Sequence, residues 1–108
     1  MGERENLIKE LEQFKERISI KFKVDHFLFF GSQARGTAHK DSDIDLIIVS
    51  PLFRKQKFFK RAVELYDYWN LDYPVDFLCL TPKEFARKKK QVGTVQQAVK
   101  EGIGITVS

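Results

Sequence analysis

The chain has 108 residues, 43% of them hydrophobic and 13% aromatic, which suits one small domain with a single core. Its net charge of +4 and pI near 9.2 fit a polyanionic ligand such as a nucleotide, although a solvated lysine surface gives the same figure. One cysteine, Cys79, excludes an intrachain disulfide and a cysteine-based zinc site. The charged N-terminus lacks a signal peptide's apolar core, and no apolar run approaches the ~20 residues of a membrane span. A cytoplasmic protein with no membrane partner is therefore expected.

Residues 3–22 read as a helix, with Leu7, Leu11, Phe14 and Ile18 at helical spacing. Residues 25–30 are short, aromatic and followed by Gly31-Ser32, the pattern of a buried strand. Gln33-Ala34-Arg35 make one helical turn, residues 36–40 a loop, and residues 43–49 a second strand stopped by Ser50-Pro51. Residues 52–70 read as a second long helix with Phe59, Ala62, Val63, Tyr66 and Trp69 as its inner stripe. Arg54, Lys55, Lys57, Lys60 and Arg61 crowd its first half, either as a solvated face or as a cluster for an anion or acidic partner.

A third strand spans residues 73–80, with Pro74 marking a sheet edge or an unpaired first residue. Thr81-Pro82-Lys83-Glu84 is a helix start, with Thr as N-cap, Pro at the first position and Glu at the third. That helix reaches about Lys90; another covers residues 95–101 and closes at Gly102, and residues 103–107 add a last strand. The order α-β-β-α-β-α-α-β predicts an α/β fold, a small mixed sheet flanked by helices, as a single domain over residues 1–108.

Two stretches carry chemistry. Phe30-Gly31-Ser32 places a turn between a strand and a helix, where free backbone N–H groups and the Ser32 hydroxyl point at any anion, with Arg35 within reach. In Ser42-Asp43-Ile44-Asp45, the two aspartates are one residue apart in a strand pattern, so their side chains share a face. Asp76 is a third carboxylate inside an apolar strand. Carboxylates so placed repel one another unless a cation neutralises them, and divalent cations take oxygen ligands. If the strands of Asp45 and Asp76 are neighbours, three carboxylates converge into a site for two metal ions, with Asp76 as metal ligand, general base or both.

The run Gly31-Ser32-Gln33-Ala34-Arg35-Gly36, then Asp43-Ile44-Asp45, then Val75-Asp76-Phe77 resembles the nucleotidyltransferase superfamily of DNA polymerase β, most closely its minimal, stand-alone prokaryotic members. The resemblance implies that Gly31 and Ser32 bind the triphosphate of ATP with Arg35 supporting them. It also implies that Asp43, Asp45 and Asp76 are catalytic and hold Mg²⁺ as two ions. The reaction implied is transfer of AMP from ATP to a hydroxyl, with pyrophosphate leaving. The chain has no room for the acceptor domain of larger relatives, so the acceptor is expected on another chain. In the family this is often a small helical HEPN toxin, adenylylated on a tyrosine by its nucleotidyltransferase antitoxin.

Two alternatives stand beside this protein adenylyltransferase reading: a non-catalytic antitoxin or binding module acting by contact, and a nucleic-acid-directed nucleotidyltransferase. Nucleic acid is not the expected partner, and a homodimer through a sheet edge or helix face is left open. His39 reads as a solvated loop residue, His26 as structural, Tyr66 and Trp69 as core packing, and Lys88 to Lys90 as a solvated helix end.

Overall fold

The computed structural model describes residues 2–36 and 42–105, so His39 and most of the loop before the second strand lie outside the described residues. Helix α1 (Glu3–Ile18) leads into β1 (His26–Phe30), the short α2 (Gly31–Arg35) and β2 (Ile44–Val49). Two 3-10 turns (Pro51–Lys55 and Phe58–Lys60) precede α3 (Val63–Tyr68), β3 (Val75–Leu80), α4 (Pro82–Lys88), α5 (Thr94–Glu101) and β4 (Ile103–Gly104). The sheet order is β3-β2-β1-β4. β1 is antiparallel to both β2 and β4, while the connection through α3 makes β2 and β3 parallel. This is the expected mixed sheet with helices packed on it.

β2 is the most buried strand, which is why it reads as an unbroken Ile/Leu/Val run after Asp45. Ile44, Leu46 and Ile48 pack with Leu7, Leu11, Phe14 and Ile18 of α1 on one face. Ile47 and Val49 pack with Phe85, Val95 and Ala98 of α4 and α5 on the other. Strand alternation puts Asp45 on the α4/α5 side, at the end of β2 where no helix side chain covers it completely. α1 stops at Ile18, four residues short of the expected end, where the chain tightens into a turn in which the Lys21 and Phe22 N–H groups both donate to the Ile18 carbonyl and the Ser19 hydroxyl donates to the Lys15 carbonyl at 2.6 Å.

The expected helix over 52–70 is the main correction. Gln56 and Lys57 are extended, and only Val63–Tyr68 is α-helical. The break lets Phe53 enter the core and turns Arg61 inward, where it is 6% exposed. Arg61 donates to the carbonyls of Gln56 (3.3 Å) and Cys79 (3.1 Å) and pairs with Glu84 at 2.5 Å. It is thus a structural cation and not part of a free basic cluster. The apolar stripe changes with it. Phe59 and Val63 are 73% and 62% exposed and Tyr66 50%, while Leu65 is fully buried with Ala62 and Trp69 partly so. A helical count carried through a broken segment assigns the wrong face.

Pro74 does mark an edge: β3 is the outermost strand. Two of its outward carbonyls are occupied by side chains, Val75 by the Tyr66 hydroxyl (3.3 Å) and Cys79 by Arg61, which blocks pairing with a foreign strand. The capping box at α4 forms as read, with Glu84 N–H donating to Thr81 Oγ1 and Thr81 N–H donating to Glu84 Oε1. Cys79 is buried, and burial pushes its thiol up to about 12, an inert group as expected. Among the described residues no helix is long and apolar enough to cross a membrane.

Candidate active site

The site is built where β1 ends. Phe30, the last residue of β1, lies opposite Asp45, and the chain then enters α2 directly at Gly31. Gly31 has φ +83°, a left-handed conformation that L side chains rarely adopt. A Cβ at Gly31 would also run into the Asp45 carboxylate. The backbone turn and the acid therefore lie against each other: the left-handed φ favours glycine, and a side chain there would also push the Asp45 carboxylate aside. Phe30 provides no side-chain cap, so the first N–H groups of α2 are not claimed by the residue before it. Gly36, with φ +76°, closes α2. Gln33 Nε2 donates to the Ser42 carbonyl at 3.0 Å and ties α2 to the approach of β2. Nothing in the sequence marks Gln33 for this role, since a bridging amide leaves no pattern there.

Asp45 and Asp76 are register partners on adjacent parallel strands, side by side at the usual strand spacing of about 4.8 Å and on one face. Asp43 lies just before β2 and is exposed. Asp76 is exposed too, whereas the sequence pattern suggested burial; its flanking Val75 and Phe77 pack on the opposite face, as alternation requires. Burial, then the charges of Asp76 and Asp43, hold the Asp45 carboxyl above the usual aspartate range, and Arg35 offsets this only in part. Arg35 is exposed and lines, with Gly31, Thr94 and Gln97, a cavity of about 280 Å³ between α2 and α5.

Among the described residues no three His, Cys, Asp or Glu side chains already close around one point as a cation cage. The donor set still fits a divalent cation: hard oxygen donors on adjacent strands, with repulsion that Arg35 offsets only in part. Asp43, Asp45 and Asp76 are the residues that would hold it. Tyr66, expected in the core, is instead half exposed beside this end of β3, its ring edge-on to Phe77 at 5.1 Å. Its hydroxyl is pushed up chiefly by burial and then by the charges of Asp76, Cys79 and Asp43.

Comparison with known proteins agrees with this geometry. A family model described as a nucleotidyltransferase domain matches residues 11–103. A curated protein of Methanocaldococcus jannaschii, named "Putative protein adenylyltransferase", is 30% identical over 71 residues, covering 64% of this chain and 72% of that protein. A solved structure described as a "putative nucleotidyltransferase" from Sulfolobus solfataricus has the same fold, with a TM-score of 0.66 at 22% identity, covering 94% of this chain and 80% of that one. The glycine turn, the paired aspartates and the matched span together mean that this chain belongs to the nucleotidyltransferase domain family.

Proposed function

We propose that this nucleotidyltransferase moves AMP from ATP to a protein hydroxyl. The observation that carries the reading is the contact of Gly31 with Asp45 beside the register pair Asp45–Asp76. It puts a backbone turn suited to phosphate next to carboxylates whose mutual repulsion Arg35 offsets only in part. The N–H groups of Gly31 and Ser32, the Ser32 hydroxyl and Arg35 would bind the triphosphate. Asp43, Asp45 and Asp76 would hold Mg²⁺, as two ions when both sites fill. Bound there, the metal supplies charge neutralisation of the phosphates and acidification of the attacking hydroxyl. Asp76, exposed near the start of β3, would complete the metal site, take the proton of that hydroxyl as its oxygen bonds to the α-phosphorus and pyrophosphate departs, or do both.

The name of the Methanocaldococcus relative supports a protein acceptor, and the family resemblance supports a tyrosine of a HEPN-type helical partner, with this chain as antitoxin. A second reading, neutralisation of a partner by contact alone, draws on the exposed Phe58, Phe59 and Val63. Incubation with α-labelled ATP, Mg²⁺ and a HEPN protein encoded beside it tests both readings. Label on the partner, lost in Asp43→Asn, is the expected result. A partner neutralised without label, and equally by Asp43→Asn, would establish the contact reading.

A further inference from the structure

The end of the sheet opposite the carboxylates carries a second cavity. It has a volume of about 580 Å³ and lies between the first 3-10 turn and the start of α4, lined by Arg54, Lys83 and Arg87 with Pro51, Pro82 and the Arg61–Glu84 pair. Asp45 is the second residue of β2 (Ile44–Val49) and the cavity's Pro51 follows its other end, so the strand from Asp45 to Val49, about 13 Å long, separates the carboxylates from the cavity. Its charge is one-sided. Among the described residues Glu84 is its one lining carboxylate, and the Arg61 guanidinium already claims both of that group's oxygens. Among the described residues Arg54, Lys83 and Arg87 have no acidic partner.

This arrangement is built in. Arg61 is buried and held by two carbonyls, so the paired floor does not swing out to neutralise the rim. Three like charges around one hollow repel each other, and an anion placed between them removes that repulsion. The donors are two guanidiniums and an ammonium, the groups that take phosphate oxygens, the guanidiniums with the option of bidentate binding. The surface outside the rim continues the theme: Lys55, Lys57 and Lys60 stand exposed with Phe58 and Phe59 among them. Residues 51–62 contain no acid. Exposed aromatic rings between cations give stacking surface as well as charge.

We propose that this cavity is a phosphate-binding site separate from the carboxylate site, filled either by a free polyphosphate or by the phosphodiester backbone of a single strand. Arg54 and Arg87 would hold the phosphate oxygens, with Lys83 adding charge. The site does not depend on the transferase reading.

The test uses the full chain in EDTA with Asp45→Asn in place, which removes metal-bridged binding at the carboxylate site, and the response to substitutions in the cavity itself separates it from any binding left at the Gly31 turn. Inorganic tripolyphosphate is titrated calorimetrically, and a fluorescein-labelled uridylate 12-mer by anisotropy at 50 and 200 mM salt. Binding of either probe, weakened at least tenfold by Arg54→Gln with Arg87→Gln, is the expected result. For the 12-mer, the slope of log K against log salt should also fall by about 1.4, at about 0.7 for each phosphate no longer neutralised. Tripolyphosphate binding alone assigns the site to a free polyphosphate, and 12-mer binding alone to a strand. No binding of either probe, binding indifferent to the two substitutions, or equal binding of poly-glutamate would overturn it. Circular dichroism of the double variant confirms folding, and Lys83→Gln provides an independent, milder lesion with the same expected direction.

Discussion

Gly31 lies so close to Asp45 that a single added methyl group would meet the carboxylate. This contact joins the phosphate turn to the acidic strand, and the two glycines that bound α2 test it. Gly31 and Gly36 share a left-handed backbone, but among the described residues nothing lies within 4 Å of a Cβ built on Gly36. Gly36→Ala should therefore cost only the conformational term, about 1–2 kcal/mol. Gly31→Ala adds the clash and should cost about 1–3 kcal/mol beyond that while displacing Asp45. Urea melts give the stability difference. Calorimetry with ATP and Mg²⁺ should show a Kd raised at least about tenfold for Gly31→Ala and near wild type for Gly36→Ala.

Asp45 also predicts a stability–activity conflict. Burial and its acidic neighbours raise its folded pKa above the ordinary 3.8, so the ionised form is disfavoured in the fold. The sign follows: the penalty is present above the folded pKa and absent below the unfolded one. Without metal, Asp45→Asn should raise Tm at pH 7, and the gain should vanish by about pH 3. Added Mg²⁺ should raise the wild-type Tm and move the variant less. Transfer activity should fall at least about a hundredfold. A variant less stable than wild type at pH 7 without metal would contradict the electrostatic account.

The carboxylate pattern, the glycine turn and the sequence of elements along the chain were legible because each rests on local rules, whereas which strands pair in the sheet was not. Asp43-Ile44-Asp45 announces itself by alternation, Thr81 to Glu84 by capping chemistry, and Pro74 by its missing donor. What was not legible depends on residues distant in sequence. Arg61 reads as one more surface cation until Glu84, 23 residues later, and the Cys79 carbonyl draw it inward. That inward turn goes with the break in the 52–70 segment and fixes which apolar residues face the core. Asp76 reads as buried because its neighbours are apolar, but it stands at the open end of an edge strand.

The corrected face of α3 has a direct mutational signature. Leu65 is wholly enclosed, so Leu65→Ala should cost about 2–5 kcal/mol from reduced burial and a residual cavity. Phe59→Ala and Val63→Ala remove side chains already largely in water and should each lie within about 0.5 kcal/mol of wild type. An uninterrupted helix over 52–70 with Phe59 and Val63 inward would reverse this order, and thermal melts of the three variants decide between them.

The Arg61–Glu84 pair should govern acid stability at the far end of the sheet. The Arg61 guanidinium holds the Glu84 carboxyl below its ordinary 4.5. A depressed folded pKa gives stability that is complete above 4.5 and lost as pH falls through the lower folded value. Arg61→Ala should cost about 3 kcal/mol at pH 7, because it leaves the Cys79 carbonyl and a partly buried carboxylate without their donor. Glu84→Gln keeps the acceptor oxygen and the capping geometry but removes the charge, so it should cost less than Arg61→Ala. The gap between Glu84→Gln and wild type should narrow progressively as pH drops below 4.5, because protonation of Glu84 removes the same charge from wild type. Denaturant melts at pH 7, 5 and 3.5 measure that gap; a pH-independent difference would mean that the pair contributes through packing and not through charge.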